Sequence, residues 1–222
     1  MALVAFDCDG TLVDSLGWIV GSMREAAGEA GIPEPTDAAV RGIVGLPLGE
    51  AIRRVFPGQG PQALAEIEAG YRRAFIARRT GGGGPEPLFP GVRAVLERLN
   101  SAGLMCAVVT GKSRRGLVAT LEAHGLRGAF AALVTADDGP GKPSPEPLNR
   151  AMENCGAAAE RTIMVGDTTF DVLTAINAGA RAIGVSWGYH PVESLRDAGA
   201  SAIVASMDEV PGVVARLLDG GG

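Results

Sequence analysis

The sequence predicts an α/β protein: a parallel sheet covered by helices on both faces, with a helical segment inserted after the first strand. Three observations carry this. Short, nearly continuous apolar runs recur at "LMCAVVT" (104–110), "AALVTAD" (131–137), "RTIMVGD" (161–167), "ARAIGVSW" (180–187) and "ASAIVAS" (200–206), as strands buried on both faces do. Helix-length segments closing on glycine, such as "RRGLVATLEAHG" and "PEPLNRAMENCG", lie between them. Residues 16–87 break that alternation.

The opening "LVAF" at residues 3–6 reads as the first strand. After it, "LGWIVGSMREAAGEAG" sets Leu16, Ile19, Val20, Met23, Ala26, Ala27 and Ala30 on one helical stripe. Pro47 suits the first position of a short helix over "LGEAIRRVF". "PQALAEIEAGYRRAFIARR" then aligns Leu64, Ile67, Tyr71 and Phe75. The return connection, "TGGGGPEPLFPG" (80–91), runs from glycines to prolines, a flexible and then stiff linker. The outgoing one, near Asp14 to Gly17, is shorter. Two such connections suit an insert that moves as a lid; a fixed subdomain with a flexible loop fits the same letters. The expected division is a discontinuous α/β core over 1–15 plus 88–222 and a helical cap over 16–87. The terminal "GGG" is expected to fray.

Composition narrows the function. The chain has 222 residues, 46% hydrophobic and 20% charged, enough for one sizeable core and a smaller insert. A net charge of −5 and 5% aromatics exclude the basic face and the stacking platform of a nucleic-acid binder. Cys8, Cys106 and Cys155 are odd in number, scattered and without CxxC spacing, which suits a reducing compartment. No window approaches 18 apolar residues and "MALVAFDCDG" lacks signal-peptide features, so no membrane partner and a cytoplasmic location are expected. Among the 20 basic residues only Lys112 and Lys142 are lysines. A chain so biased to arginine keeps lysine where a compact, mobile ammonium is wanted.

In open parallel sheets, ligands bind outside the carboxyl ends of the strands. Asp7 and Asp9 follow the first strand, Thr110 ends the second, Lys142 lies in the loop after the third, and Asp167 ends the fourth. Asp171 comes one helical turn later. In an extended chain Asp7 and Asp9 point one way and Cys8 the other, making Cys8 a buried packing residue. Two carboxylates about 5 Å apart repel by roughly 3 kcal/mol at an effective dielectric near 20, so three in one cleft call for a cation. Oxygen donors without clustered His or Cys favour Mg²⁺ over zinc. His124 and His190 lack ligand spacing, and His190 reads as a surface histidine. A cation, a lysine and a hydroxyl make a site for a phosphate dianion. One carboxylate supplies an in-line nucleophile, giving an aspartyl-phosphate. A second, one residue away, protonates the leaving oxygen and then activates water.

By these residues the chain resembles the haloacid dehalogenase (HAD) superfamily, specifically its phosphatases with a helical cap. "DCDGTLVDS" resembles the first motif of that family, "VVTG" the second, "GKPSPEP" the third and "MVGDTTFDV" the fourth, in order and over essentially the whole chain. The resemblance implies a Rossmann-like core with its first strand at the sheet centre. It implies Asp7 as nucleophile and metal ligand, and Asp9 as acid/base with its backbone carbonyl on the metal. Thr110 and Gly111 are implied to bind the phosphoryl group, Lys142 to neutralise it, Asp167 to complete the Mg²⁺ ligands, and Asp171 to orient Lys142 or a metal-bound water. The expected substrate is a small phosphorylated metabolite, the expected class phosphoglycolate phosphatase-like, and the assembly a monomer or homodimer.

Asp9 bears on the chemistry, since the dehalogenases and phosphonatases of this superfamily lack a carboxylate there. "GLPLGEA" (45–51) resembles a specificity loop, with Leu48 where mutases commonly carry a basic residue. Pyrophosphatase, sugar-phosphate phosphatase or phosphomutase activity, and a non-catalytic phosphate-binding role, remain the alternatives. Most of arginines 53, 54, 72, 73, 78 and 79 are expected on a solvated helix face, with one of them a candidate to meet a substrate carboxylate. "GVSWG" (184–188) imitates an esterase elbow, but only His190 follows Ser186 and no acid lies between them. Ser186 is expected in a strand-end loop, with Trp187 packing or lining the cleft. "TGKS" (110–113) lacks the glycine a P-loop needs at Cys106. Lys112 is therefore read as a helix-start residue near the phosphate.

Overall fold

A computed structural model of the protein describes residues 1–81 and 84–220. The linker at 80–91 falls partly, and the terminal glycine run largely, outside the described residues.

Six strands form one parallel sheet: β1 (Leu3–Phe6), β2 (Met105–Val109), β3 (Ala132–Val134), β4 (Thr162–Gly166), β5 (Arg181–Val185) and β6 (Ala202–Val204). Their order is β3-β2-β1-β4-β5-β6. Central β1 sets Phe6 opposite Val108 on one side and Val165 on the other. All four of its residues are buried, because successive side chains turn to opposite faces and both faces are covered. Val4 and Phe6 pack under α5 (Val92–Ser101), α6 (Arg114–Ala123) and α10 (Val210–Asp219) through Leu96, Leu117 and Val214. Leu3 and Ala5 face α7 (Glu146–Cys155), α8 (Thr169–Asn177) and α9 (Val192–Asp197) through Leu148, Val172 and Leu195.

Between β1 and α5 the described residues form four helices: α1 (Leu16–Glu29), α2 (Asp37–Arg41), α3 (Leu48–Val55) and α4 (Pro61–Thr80). Their own apolar cluster includes Ile19, Met23, Val40, Ile52 and Ile67. The five-residue α2 is too short for a periodic signal; Thr36 starts it by accepting from the Ala39 N–H at 3.2 Å. Pro47 precedes α3 as its cap. The stripe on α4 is rotated from the expected one. Ile67, Gly70 and Ala74 are its buried residues, because Gly70 lets α1 approach until a Cβ there would lie 3.3 Å from that of Ala26. Tyr71 and Phe75 are left half-buried, facing the gap between insert and sheet.

The two connections of the insert are tied to each other. The Asp14 N–H donates to Pro87 O at 2.8 Å, and the Phe89 N–H to Leu12 O at 3.0 Å. Tyr189, from the loop after β5, packs into the insert's cluster beside partly buried Phe170. No helix among the described residues is long and apolar enough to cross a membrane.

Candidate active site

The site begins where β1 stops. The Asp7 N–H continues the ladder to Val165 O at 2.9 Å, and Cys8 O then accepts from the N–H groups of Leu12 and Val13, turning the chain. Gly10 sits in that turn at φ +92°, where a Cβ would lie 2.3 Å from Asp167 Oδ2. Only glycine satisfies both demands. Cys8 is fully buried, as expected of a packing residue.

Asp7, Asp167 and Asp171 converge, each offering a carboxylate oxygen within 4.8 Å of the others, and all three are buried. Lys142 enters this cluster with its Nζ 2.6 Å from Asp171 Oδ1 and 2.8 Å from Asp7 Oδ1. The contact to Asp171 is a hydrogen bond. The contact to Asp7 is close in distance but not aligned as one, so neither Asp7 oxygen has a hydrogen-bond donor among the described residues. Asp167 is better provided, accepting from Thr11 Oγ1 at 2.8 Å and the Tyr189 N–H at 2.9 Å. Asp171 also accepts from the Thr168 N–H and hydroxyl, at 3.0 and 2.7 Å, closing a capping box at the start of α8.

Burial pushes the Asp7 carboxyl up to about 7, with Lys142 pulling it down and Asp171 adding to the rise. Burial likewise raises Asp167, helped by Asp171 and Asp7. For Lys142, burial alone favours the neutral amine, but Asp171 and Asp7 outweigh it and hold the ammonium. Three buried carboxylates thus face one ammonium, and Asp7 has no other partner among the described residues. Hard oxygen donors in that state fit a divalent cation such as Mg²⁺.

Asp9 belongs to a second set. Its Oδ1 accepts from Ser15 Oγ and from Lys112 Nζ, both at 2.6 Å. Lys112 Nζ also lies 3.1 Å from Glu86 Oε1. Glu86, fully buried on the return connection, takes Arg79 Nη2 at 3.1 Å and the Thr120 hydroxyl at 3.4 Å. Thr110 joins the sets: it is buried, its N–H donates to Val134 O at 3.0 Å, and its Oγ1 accepts from the Lys112 N–H at 3.2 Å. At Gly111 a Cβ would lie 2.5 Å from Gly45 O and 2.6 Å from Leu46 O, so the insert's loop rests directly on that backbone. Above Asp9, Gly111 and Lys112 opens a cavity of about 410 Å³ between insert and sheet.

The structure brings together Asp7, Lys142, Asp167 and Asp171, and sets Asp9, Thr110 and Gly111 beside them around Lys112. Glu86, Thr11, Ser15 and Tyr189 were not anticipated. A charged residue between Pro85 and Pro87 in an otherwise linker-like stretch was the available signal for Glu86. Tyr189 contributes a backbone N–H, which no side-chain pattern announces.

His190 is no surface histidine. Its Nε2 is buried without a partner, its Nδ1 accepts from the Thr169 N–H at 3.2 Å, and Phe170 meets its ring edge-on. The chain after β5 turns inward to deliver Tyr189 to Asp167, and the imidazole follows. Ser186 is exposed in the loop after β5. Trp187 donates to Thr11 O at 3.3 Å. The insert's arginines pair with Glu25, Glu29, Glu50 and Glu68 on exposed helix faces. Arg79 is the exception, reaching buried Glu86.

A parallel α/β core with a carboxylate cluster at the ends of β1 and β4 defines a class of hydrolase. Residues 4–185 match the family described as haloacid dehalogenase-like hydrolase, and the chain belongs to that family. It is 37% identical to "Probable phosphatase IndB" of Dickeya dadantii, over 97% of this chain and 94% of that one. It is 34% identical to a phosphoglycolate phosphatase of Vibrio cholerae, over 88% and 89%. A solved structure of a "predicted phosphatase" from Clostridium acetobutylicum superposes with a TM-score of 0.86 at 27% identity, over 97% and 98% of the two chains.

Proposed function

We propose that the protein is a Mg²⁺-dependent phosphomonoester hydrolase that works through an aspartyl-phosphate on Asp7. Its substrate is a small phosphorylated metabolite, and its branch the phosphoglycolate phosphatase-like one. Relatives named phosphatase and phosphoglycolate phosphatase support the class. The observation that carries the reading is the buried Asp7 carboxylate, whose Oδ1 lies 2.8 Å from the Lys142 ammonium and whose Oδ2 has no donor among the described residues. A lone pair not engaged in a hydrogen bond is what an attacking carboxylate needs.

Asp7, Asp167 and the Asp9 backbone carbonyl would hold the metal, with Asp171 behind them. When bound, Mg²⁺ offsets the negative charge of the phosphoryl group and of the carboxylates that face it. Asp7 Oδ attacks phosphorus and the ester P–O bond breaks. Asp9, in its protonated form, gives its proton to the departing alcohol oxygen. Asp9 then takes a proton from the water that attacks the aspartyl-phosphate, releasing phosphate and restoring Asp7. Thr110 and the Gly111 backbone donate to the phosphoryl oxygens, and Lys142 neutralises them. Asp171 aims Lys142. Residues 16–87 serve as the cap over the core formed by 1–15 and 88–222, excluding water during the transfer.

The test is phosphate release from small monoesters with Mg²⁺, with chelator, and with Asp7→Asn. Turnover should need the metal and fall by about 10⁴-fold or more in the variant. Undiminished release by Asp7→Asn would sink the aspartyl-phosphate. Transfer of phosphate between sugars in place of release would point to a mutase.

A further inference from the structure

Resting on that reading, we infer that the alcohol released is predominantly apolar and larger than glycolate, seated in the cavity beside Asp9. Of the groups assigned to the reaction, Asp9 and the phosphoryl-binding Gly111 line the cavity, while Asp7, Lys142 and Asp167 do not. A space that opens on the proton donor to the leaving oxygen, and not on the nucleophile, is where the leaving group lies.

Its walls are the wrong chemistry for a small anion. Ile19 and Met23 from α1, Val44 and Leu46 before α3, and Tyr71 and Phe75 from α4 face it. Ile76 continues this wall to the mouth, where it is 43% exposed. The volume of about 410 Å³ falls within the range of about 300–1,000 Å³ of pockets that enclose drug-sized ligands.

The cations that line the cavity, apart from Arg115, are already paired with carboxylates. Lys112 is shared by Asp9 and Glu86, Arg79 is bound to Glu86, and Arg72 pairs with Glu68 at 2.6 Å. Only Arg115, exposed at the mouth, has no ion-pair or hydrogen-bond partner among the described residues. A carboxylate one carbon from the ester oxygen, as in 2-phosphoglycolate, would sit deep beside Asp9, among apolar side chains and with no unpaired cation next to it. Taking it out of water there is costly. An alkyl or aryl body gains from the same wall, and one with a distant acidic group reaches Arg115.

A series in which only the pocket contact varies tests this. Ethyl, butyl and hexyl phosphate release alcohols of nearly equal basicity, so intrinsic reactivity is constant along it. Each buried methylene should raise kcat/KM by up to about fourfold, and hexyl phosphate should exceed 2-phosphoglycolate by about tenfold or more. Ile76→Lys, at an exposed position that leaves packing intact, should cut the ethyl-to-hexyl rise at least about threefold. A flat series, 2-phosphoglycolate ahead of hexyl phosphate, or a rise unchanged by Ile76→Lys would overturn the inference while leaving the phosphatase reading in place. No turnover of any of the esters would overturn both.

Discussion

The chain's two lysines invite comparison, because each serves one of the paired aspartates and their surroundings differ. Lys142 is sealed, its side chain 1% exposed between Asp7 and Asp171. Lys112 stands at the cavity floor between Asp9 and Glu86, and Glu86 is tied in turn to Arg79 of the insert. On the Lys142 side three carboxylates face one ammonium, a charge excess that suits a metal and a dianion. On the Lys112 side two carboxylates meet two cations in balance. Under the proposed mechanism the imbalance falls where phosphorus would react, and the balance where a proton would pass and an alcohol depart.

Removing each lysine should expose that difference. Lys142→Met leaves buried carboxylates with no cation, and breaking a buried pair in this way costs about 3–5 kcal/mol. Lys112→Met leaves Asp9 with Ser15 and Glu86 with Arg79 and Thr120, so the loss should be smaller, about 1–3 kcal/mol. Urea denaturation in chelator measures both. Activity should fall further for Lys142→Met, by about 10²–10³-fold. Equal destabilisation by the two variants would mean that Lys112 is as deeply committed as Lys142, and the comparison would fail.

Much of the sealed half was legible because it is built from side chains at strand ends. "LVAF" announces a strand covered on both faces, and the polar residue that follows such a strand in a parallel sheet has few places to go. Asp171 was legible as a carboxylate one helical turn beyond Asp167, and the resemblance implied that it orients Lys142; that the same carboxylate also caps α8 was not. The open half was less so, because it depends on where the insert lands. Glu86 lies in a stretch whose composition says only linker; the bonding of residues 12–14 to 87–89 carries it inward. The rotation of α4 turns on Gly70, a residue with no hydrophobic signal. Tyr71 and Phe75 therefore count in a periodicity as core residues but line a cavity.

Glu86→Gln probes the link between the insert and the proton-transfer side. The amide keeps the shape but leaves Lys112 and Arg79 with one negative charge fewer, so the Lys112 ammonium is held by Asp9 alone. Asp9, tied more tightly, should exchange protons less readily. We expect kcat to fall about tenfold with KM changed less than about threefold, and Glu86→Asp to recover part of the loss. Rate constants for a single monoester decide this. A purely structural role predicts instead a loss of stability with kcat intact in the folded fraction.

The smallest effect lies behind the sealed half, at His190. Burial lowers its imidazole below the ordinary value of 6.5, only partly countered by Asp171 and the Gly42 backbone. The neutral ring is the one that fits, since Nδ1 must keep a lone pair for the Thr169 N–H, which leaves the single ring proton on Nε2. A histidine depressed in the folded state contributes stability that is fully present above about pH 6.5. That contribution is lost as pH falls through the lowered value, because the unfolded chain takes up the proton first. Thermal midpoints at pH 7.5 and pH 5.5 should therefore differ more for the native chain than for His190→Gln, which cannot titrate. The gap between the two profiles isolates His190 from the carboxylates that titrate in both. Parallel profiles would mean that the imidazole is solvated in both states, and that the loop delivering Tyr189 to Asp167 is not closed over it.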